Sequence, residues 1–191
     1  MRSRAFVLLT AWCLSVYGAS DEKPHLPYYS WGVCPFECCT YRAWKAEGPV
    51  TAFTKRDINS PPAFEVKKGE WIRGVGGVVI TYRAGLSKIL KPVEIGYGKT
   101  GDKPLLHLQP GDVVYPLHYQ GEGSYLFWYK GQVYSDGVSS DKPDRDPPSA
   151  ELNIQTITIP QYVWWARIRN KEGATGWTNK LDKFSNVDAC G

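Results

Sequence analysis

Long stretches of helical periodicity are missing from this chain, which argues against a helical bundle. After the first twenty residues no segment is apolar enough to cross a bilayer, a task that takes about 20 residues, so no transmembrane segment is expected. Concentrated charge of one sign is missing as well. The densest basic spot outside the N-terminal segment, Lys67-Lys68, is flanked by Glu65 and Glu70. Nucleic-acid binders carry a clustered basic face, so nucleic acid is not an expected partner. A second cysteine pair at metal-ligand spacing is absent, and Cys34, Cys38 and Cys39 do not read as a zinc site. The stretches Asp-Cys-Ser-Gly and Ser-His-Gly-Cys, which would mark a thiolate nucleophile, are not found either. His107 and His118 are therefore expected to face solvent or cap a polar network rather than activate a thiol.

What is present begins with a leader. Arg2 and Arg4 form a basic start, Ala5 to Val16 is largely apolar, and Gly18, Ala19 and Ser20 are small. That order is a secretory signal peptide over residues 1–20, cleaved near Ser20. Trp12 just before Cys13 is too bulky for a lipoprotein cleavage site. Cleavage takes Arg2 and Arg4 from 23 Lys+Arg, leaving 21 against 19 Asp+Glu, so the formal net charge falls from +4 to about +2. The expected location is secreted, periplasmic or extracellular.

Four cysteines follow the leader: Cys34, Cys38, Cys39 and Cys190. An even number in an exported chain reads as disulfides. Pairing adjacent Cys38 and Cys39 would strain the backbone, so Cys34 pairs with one of the other three, most simply Cys38 or Cys39. One cysteine is then left for Cys190. A bridge to Cys190 closes a loop of about 150 residues and contributes roughly 4–5 kcal/mol by the chain-entropy model.

Apolar and β-branched runs of about four to eight residues alternate with Gly, Pro, Asn and Asp clusters, the pattern of an all-β fold. Residues 21–49 form an aromatic- and Cys-rich extension with Tyr28, Tyr29, Trp31, Phe36, Tyr41 and Trp44, and a short helical turn is expected within 40–47. Phe64 to Ile72 lines up with Leu106 to Val114 at an offset of 42 residues, each placing apolar residues two apart before a Gly-acid turn. This repeat suggests two β units, over 50–98 and 102–191. Ser135 to Ser149, polar and carrying Pro, is expected as a mobile loop.

The last thirty residues carry the strongest motif: Trp164-Trp165-Ala166-Arg167-Ile168-Arg169, a loop with Gly173, then Gly176-Trp177. It resembles the end of bacterial SH3-like domains, where a Trp-x-x-Val strand precedes a Gly-Trp-Val strand. Val66 to Glu70 and Leu108 to Asp112 resemble an earlier strand of that family. Thr178 departs from it, standing where an apolar residue is usual, and the 135–149 insertion departs too. The resemblance implies one or two small SH3-like β-barrels with a disulfide-tethered extension. It further implies five-stranded targeting or ligand-binding modules, often directed to cell-wall peptides and often found beside a catalytic domain.

Alternation along the Trp strand puts Trp164, Ala166 and Ile168 on one face and Trp165, Arg167 and Arg169 on the other. The second face is read as exposed and as a contact surface, because aromatic and Arg side chains are enriched where partners dock; the alternative is that the N-terminal extension or the 135–149 loop covers Trp165. The candidate ligand-binding set is Trp165, Arg167, Tyr129, Trp128, Tyr119 and Trp177, with Tyr129 and Trp165 expected at the surface. Aromatic-lined grooves of this kind take extended peptides. Gly96 to Gly101 matches the dinucleotide fingerprint by letter but leads into a strand, so it is a turn. Glu122, Asp136 and Glu151 read as solvated loop carboxylates, not a glycosidase pair. The expectation is a non-catalytic binding module for a protein, peptide or cell-wall ligand, with no cofactor and no metal. A small cell-envelope hydrolase using a cysteine or carboxylate and a structural envelope or assembly subunit are the alternatives.

Overall fold

A computed structural model describes residues 23–34, 38–96, 105–121, 124–135 and 153–189. The protein is all-β, with antiparallel pairing throughout the named strands. In chain order the first strands are β1 (Tyr28–Trp31), β2 (Ala43–Ala46), β3 (Val50–Phe53), β4 (Pro62–Val66) and the long β5 (Trp71–Arg83). Then come β6 (Leu86–Ile89), β7 (Val93–Gly96), β8 (Leu105–Leu108), β9 (Val113–Gly121), β10 (Ser124–Tyr129), β11 (Gln132–Tyr134) and β12 (Ile154–Thr158). The chain ends with β13 (Gln161–Arg169), β14 (Thr175–Thr178), a 3-10 turn at Leu181–Lys183 and β15 (Phe184–Ser185).

The pairing order repeats. One sheet runs β15-β2-β5-β13-β14-β3-β4, with β1 added along β5; the other runs β12-β6-β9-β10-β11, and β7-β8 is a separate hairpin. Replacing β2, β3, β4, β5, β13, β14 and β15 by β6, β7, β8, β9, β10, β11 and β12 reproduces the second order except at one link, since β14 pairs with β3 while β7-β8 stands apart from β11. The residues that open each unit lie 42 or 43 apart: Val50 pairs with Val66 where Val93 pairs with Leu108. The 42-residue offset seen in the sequence is the same correspondence.

The turns of the two copies are built alike. Gly69 and Gly111 both adopt positive φ, 87° and 95°, a backbone region that glycine enters without steric cost. The following acid closes each turn: Lys67 N donates to Glu70 Oε2 and Gln109 N to Asp112 Oδ2, both at 2.8 Å. Gly69 N then donates to Ala46 O at 2.7 Å, as Gly111 N does to Ile89 O at 2.9 Å.

Strand pairing does not divide at residues 98–102. β5 and β13, expected on opposite sides of that boundary, run side by side from Arg83 opposite Gln161 to Arg73 opposite Arg169. The second unit (β6–β12) is nested between β5 and β13 of the first. The outer unit's core is Trp44, Ala46, Val50, Ala52, Val66, Ile72, Ala166, Ile168 and Phe184. The nested unit's core is Ile89, Ile95, Leu108, Val114, Phe127 and Tyr129. Residues 43–46, expected as part of a helical turn, form β2 instead, because Trp44 fills the outer core only when that segment is extended between β5 and β15. The loop expected at 135–149 lies outside the described residues except for Ser135.

The N-terminal extension is an integral part of the large sheet. Cys34 and Cys39 form a disulfide, and Cys38 is also disulfide-bonded; the expected partner, Cys190, lies outside the described residues. Neighbouring contacts already join the two ends of the chain. Ala189 N donates to Cys38 O at 2.7 Å, Thr40 N to Val187 O at 2.9 Å, and the Arg42 guanidinium to the Asn186 and Asp188 carbonyls.

A candidate aromatic surface on the large sheet

The six residues expected to bind ligand fall on two different sheets. Tyr119, Trp128 and Tyr129 belong to the nested unit, while Trp165, Arg167 and Trp177 lie on β13 and β14 of the outer one. Two of the six are corrected by burial: Trp165 is 4% exposed and Tyr129 5%. Trp165 does occupy the face opposite Ala166 and Ile168, as alternation requires. That face is covered: Val78, Ile80 and Trp165 form a second apolar cluster with Phe53, Val163 and Trp177. Tyr129 packs in the nested core, and burial first of all raises its phenol pKa. Tyr119 is half-buried with its ring edge-on to Tyr125 at 5.4 Å. Trp128 is half-buried, opposite Tyr115 on β9. Arg167 is exposed, its Nη2 3.2 Å from Thr175 Oγ1.

The exposed aromatic surface stands beside Trp165 and is contributed by residues outside that set. β1 pairs along β5 with Tyr29 opposite Ile80 and Trp31 opposite Val78, so both aromatic side chains share the face of the Trp165 cluster. They are 43% and 59% exposed. Their rings stack with centroids 6.3 Å apart and planes 15° from parallel. Arg56, from the loop between β3 and β4, lays its guanidinium over Trp31 at 4.6 Å, Trp177 at 5.4 Å and Tyr29 at 5.8 Å. Each such cation–π contact at a partly exposed site is worth about 0.5–1 kcal/mol. Arg56 Nη1 is buried there without a hydrogen-bond partner. Tyr29 and Trp31, two apart, could have been found from period-2 alternation. Arg56 had no sequence signal, because its loop position says nothing about which strand it folds over.

His118, His107 and Asp112 are engaged structurally. His118 is fully buried, with Nδ1 2.9 Å from the Tyr119 carbonyl and Nε2 2.9 Å from Ser30 Oγ. A carbonyl only accepts, so Nδ1 carries the proton and Nε2 accepts from the Ser30 hydroxyl. Desolvation lowers the His118 pKa, against an opposing contribution from the Tyr119 hydrogen bond. This pair ties β1 to β9, and Thr81 Oγ1 adds a bond to Leu117 O at 2.9 Å. His118 thus caps a polar network between the units instead of facing solvent. His107 is exposed, with Nδ1 3.1 Å from Glu94 Oε1. Burial opposes ionisation of Asp112, but hydrogen bonds from Gln109 N, Tyr129 and Lys130 outweigh it and hold its carboxyl below the usual range. Among the described residues no group of three or more His, Cys, Asp or Glu could hold a metal ion. Glu122, Asp136, Glu151, and Tyr97 to Gly101 of the glycine-rich stretch lie outside the described residues.

Comparison with protein-family models, curated proteins and solved structures gives no match to this chain.

Proposed function

We propose that the protein is an exported, non-catalytic binding module made of two SH3-like barrels, one nested in the other, that takes a peptide or cell-wall ligand on its aromatic surface. The observation that carries this reading is the exposed Tyr29–Trp31 stack with Arg56 held against it. Large aromatic side chains left at the surface beside an arginine are the composition of binding patches. The disulfides favour an oxidising compartment, and the described residues contain no helix long and apolar enough to cross a membrane. Oxidation of Cys34, Cys38 and Cys39 leaves those sulfurs without a nucleophilic thiolate, which weighs against a cysteine hydrolase.

The test is cosedimentation of the oxidised mature protein with peptidoglycan sacculi, beside a Trp31→Ala variant. Trp165→Ala is unsuitable as a surface probe because Trp165 is core. Binding that is lost in Trp31→Ala supports the reading and locates the surface. No binding by either protein discards the wall ligand.

A further inference from the structure

The outer and nested units offer grooves at corresponding places, and their chemistry differs. In the nested unit, Leu86, Val113 and Tyr115 join Leu26, Lys23 and Arg83 around a cleft of about 510 Å³, so cations lie here too, but they are not paired across the strands. In the outer unit the corresponding Ala43, Trp71 and Arg73 join Arg169 and Lys171 around a groove of about 250 Å³. The register sets Arg169 directly opposite Arg73, where the nested unit sets Trp128 opposite Tyr115. Side chains so placed have Cβ atoms about 5 Å apart, and like charges there are destabilising. The nested copy shows that this pairing order does not require two arginines at that position.

Arg73 and Arg169 are exposed and form no ion pair or hydrogen bond among the described residues. Three carboxylates, Glu65, Glu70 and Glu172, line the pocket that adjoins the groove at Trp71 and Lys171, and each keeps its charge while engaging a neighbour. Glu65 Oε2 accepts from Thr51 Oγ1 at 3.0 Å, Glu70 Oε2 accepts from Lys67 N at 2.8 Å, and Glu172 pairs with Lys171 at 3.7 Å. Trp71, 56% exposed, forms the wall of the groove. Lys45, opposite Trp71 on β2, adds a further exposed cation. An arginine pair with no anionic partner among the described residues, beside an open indole, suits a sugar ring stacked on Trp71 with its acid group between the guanidiniums. The volume is below the roughly 300–1,000 Å³ typical of whole-ligand pockets, which fits one residue of a polymer.

We infer that the Trp71–Arg73–Arg169 groove binds an acidic sugar residue of an anionic polysaccharide. The inference rests on the reading of the chain as a binding module, but not on the Tyr29–Trp31 surface. Biolayer interferometry with the oxidised mature protein tests it. Heparin and polygalacturonate serve as sulfated and carboxylated probes, polyglutamate as a peptide of like charge, and dextran as a neutral glycan. The expected result is binding to one or both acidic polysaccharides in preference to polyglutamate and dextran. An Arg73→Gln/Arg169→Gln double variant and Trp71→Ala should each bind about tenfold more weakly or worse. Lys88→Gln, an exposed cation removed from the nested unit, should bind as the parent does. Silence toward both acidic polysaccharides, equal binding of polyglutamate, or variants indistinguishable from the parent would overturn the assignment. Sacculus binding that survives while the polysaccharides are ignored sinks this inference alone; polysaccharide binding without sacculus binding sinks only the wall ligand.

Discussion

The outer and nested units share a strand order but fill it differently. At corresponding positions on β2 and β6 stand Trp44 and Ser87, both fully buried. The strand that crosses them carries Gly74 in one copy and Pro116 in the other. A Cβ at Gly74 would lie 2.7–2.9 Å from three atoms of the Trp44 indole, so the glycine is what lets the ring lie against β5. Ser87 leaves its hydroxyl buried without a hydrogen-bond partner. The nested core relies instead on Ile89, Leu108, Val114 and Phe127, which take the places of Ala46, Val66, Ile72 and Ile168. One pairing scheme thus accepts either a large ring against a glycine or, at three of these four positions, a larger aliphatic or phenyl group around a small residue. What the sheet order fixes is the sum of volumes, not the position of the bulky side chain.

The comparison is broken most severely by emptying the outer core. Trp44→Ala should cost about 3–5 kcal/mol, because the ring packs against Tyr41, Trp164 and Phe184 and its Nε1 donates to Thr40 O. Urea denaturation of the oxidised protein measures it. If the outer unit tolerated Ala as the nested unit tolerates Ser87, the loss would stay under about 1 kcal/mol and the two cores would not be filled as described.

A smaller effect tests the seam between the units, where Ser30 of β1 meets His118 of β9. The folded His118 pKa lies below the unfolded value of 6.5, chiefly through desolvation. Below pH 6.5 the unfolded chain therefore binds a proton that the folded chain resists. Stability from this group is complete above 6.5, is lost as pH falls through the depressed folded value, and is flat beneath it. Urea midpoints from pH 8 downward should show the fall, and a His118→Gln variant should lack it. Ser30→Ala, which leaves Nε2 without its donor, should cost about 1 kcal/mol at pH 8.

Local features of this architecture were legible in the sequence, and long-range ones were not. The strands around Val78 to Tyr82, Tyr125 to Tyr129 and Trp164 to Arg169 follow from their β-branched and aromatic runs, although Gly76-Gly77, which reads as a turn, lies inside β5. The two Gly-acid turns follow from Gly69-Glu70 and Gly111-Asp112, whose hydrogen bonds are confined to a few residues. That β13 returns to pair with β5 across the nested unit could not be read, because period 2 specifies faces and not partners. The same gap explains Trp165. Its face was placed correctly, but its burial depends on Phe53 and Trp177 arriving from other strands. For Tyr29 and Trp31, two apart, period 2 puts both on one face, but nothing in a short extension names the sheet it joins.

Filling in the nested unit's defect should move stability the other way. Ser87→Ala removes a buried hydroxyl that lacks a partner and leaves a methyl of nearly the same shape. A gain of about 1 kcal/mol is expected in urea denaturation. Ala at this position should leave polysaccharide and sacculus binding unchanged, since Ser87 is fully buried. A loss of stability would mean that the hydroxyl is hydrogen-bonded in solution.

The smallest effect separates a fold requirement from a functional one. Arg73 faces Arg169 across the β5–β13 ladder, and Arg73→Tyr would give the outer unit the residue that its nested counterpart, Tyr115, carries. Removing one of two opposed cations should stabilise the protein by about 0.2–1 kcal/mol. Because both side chains are exposed, screening should shrink the charge-derived part of that gain when salt rises from about 0.01 M to 1 M. An uncharged Arg73→Gln variant distinguishes the loss of repulsion from new packing by the tyrosine ring: only the salt-sensitive part of the gain should be common to both. If both variants are instead less stable than the parent at low salt, the arginines support the sheet and their opposition needs no ligand to account for it. A gain in stability joined to weaker polysaccharide binding is the outcome expected of residues held for recognition at the expense of the fold.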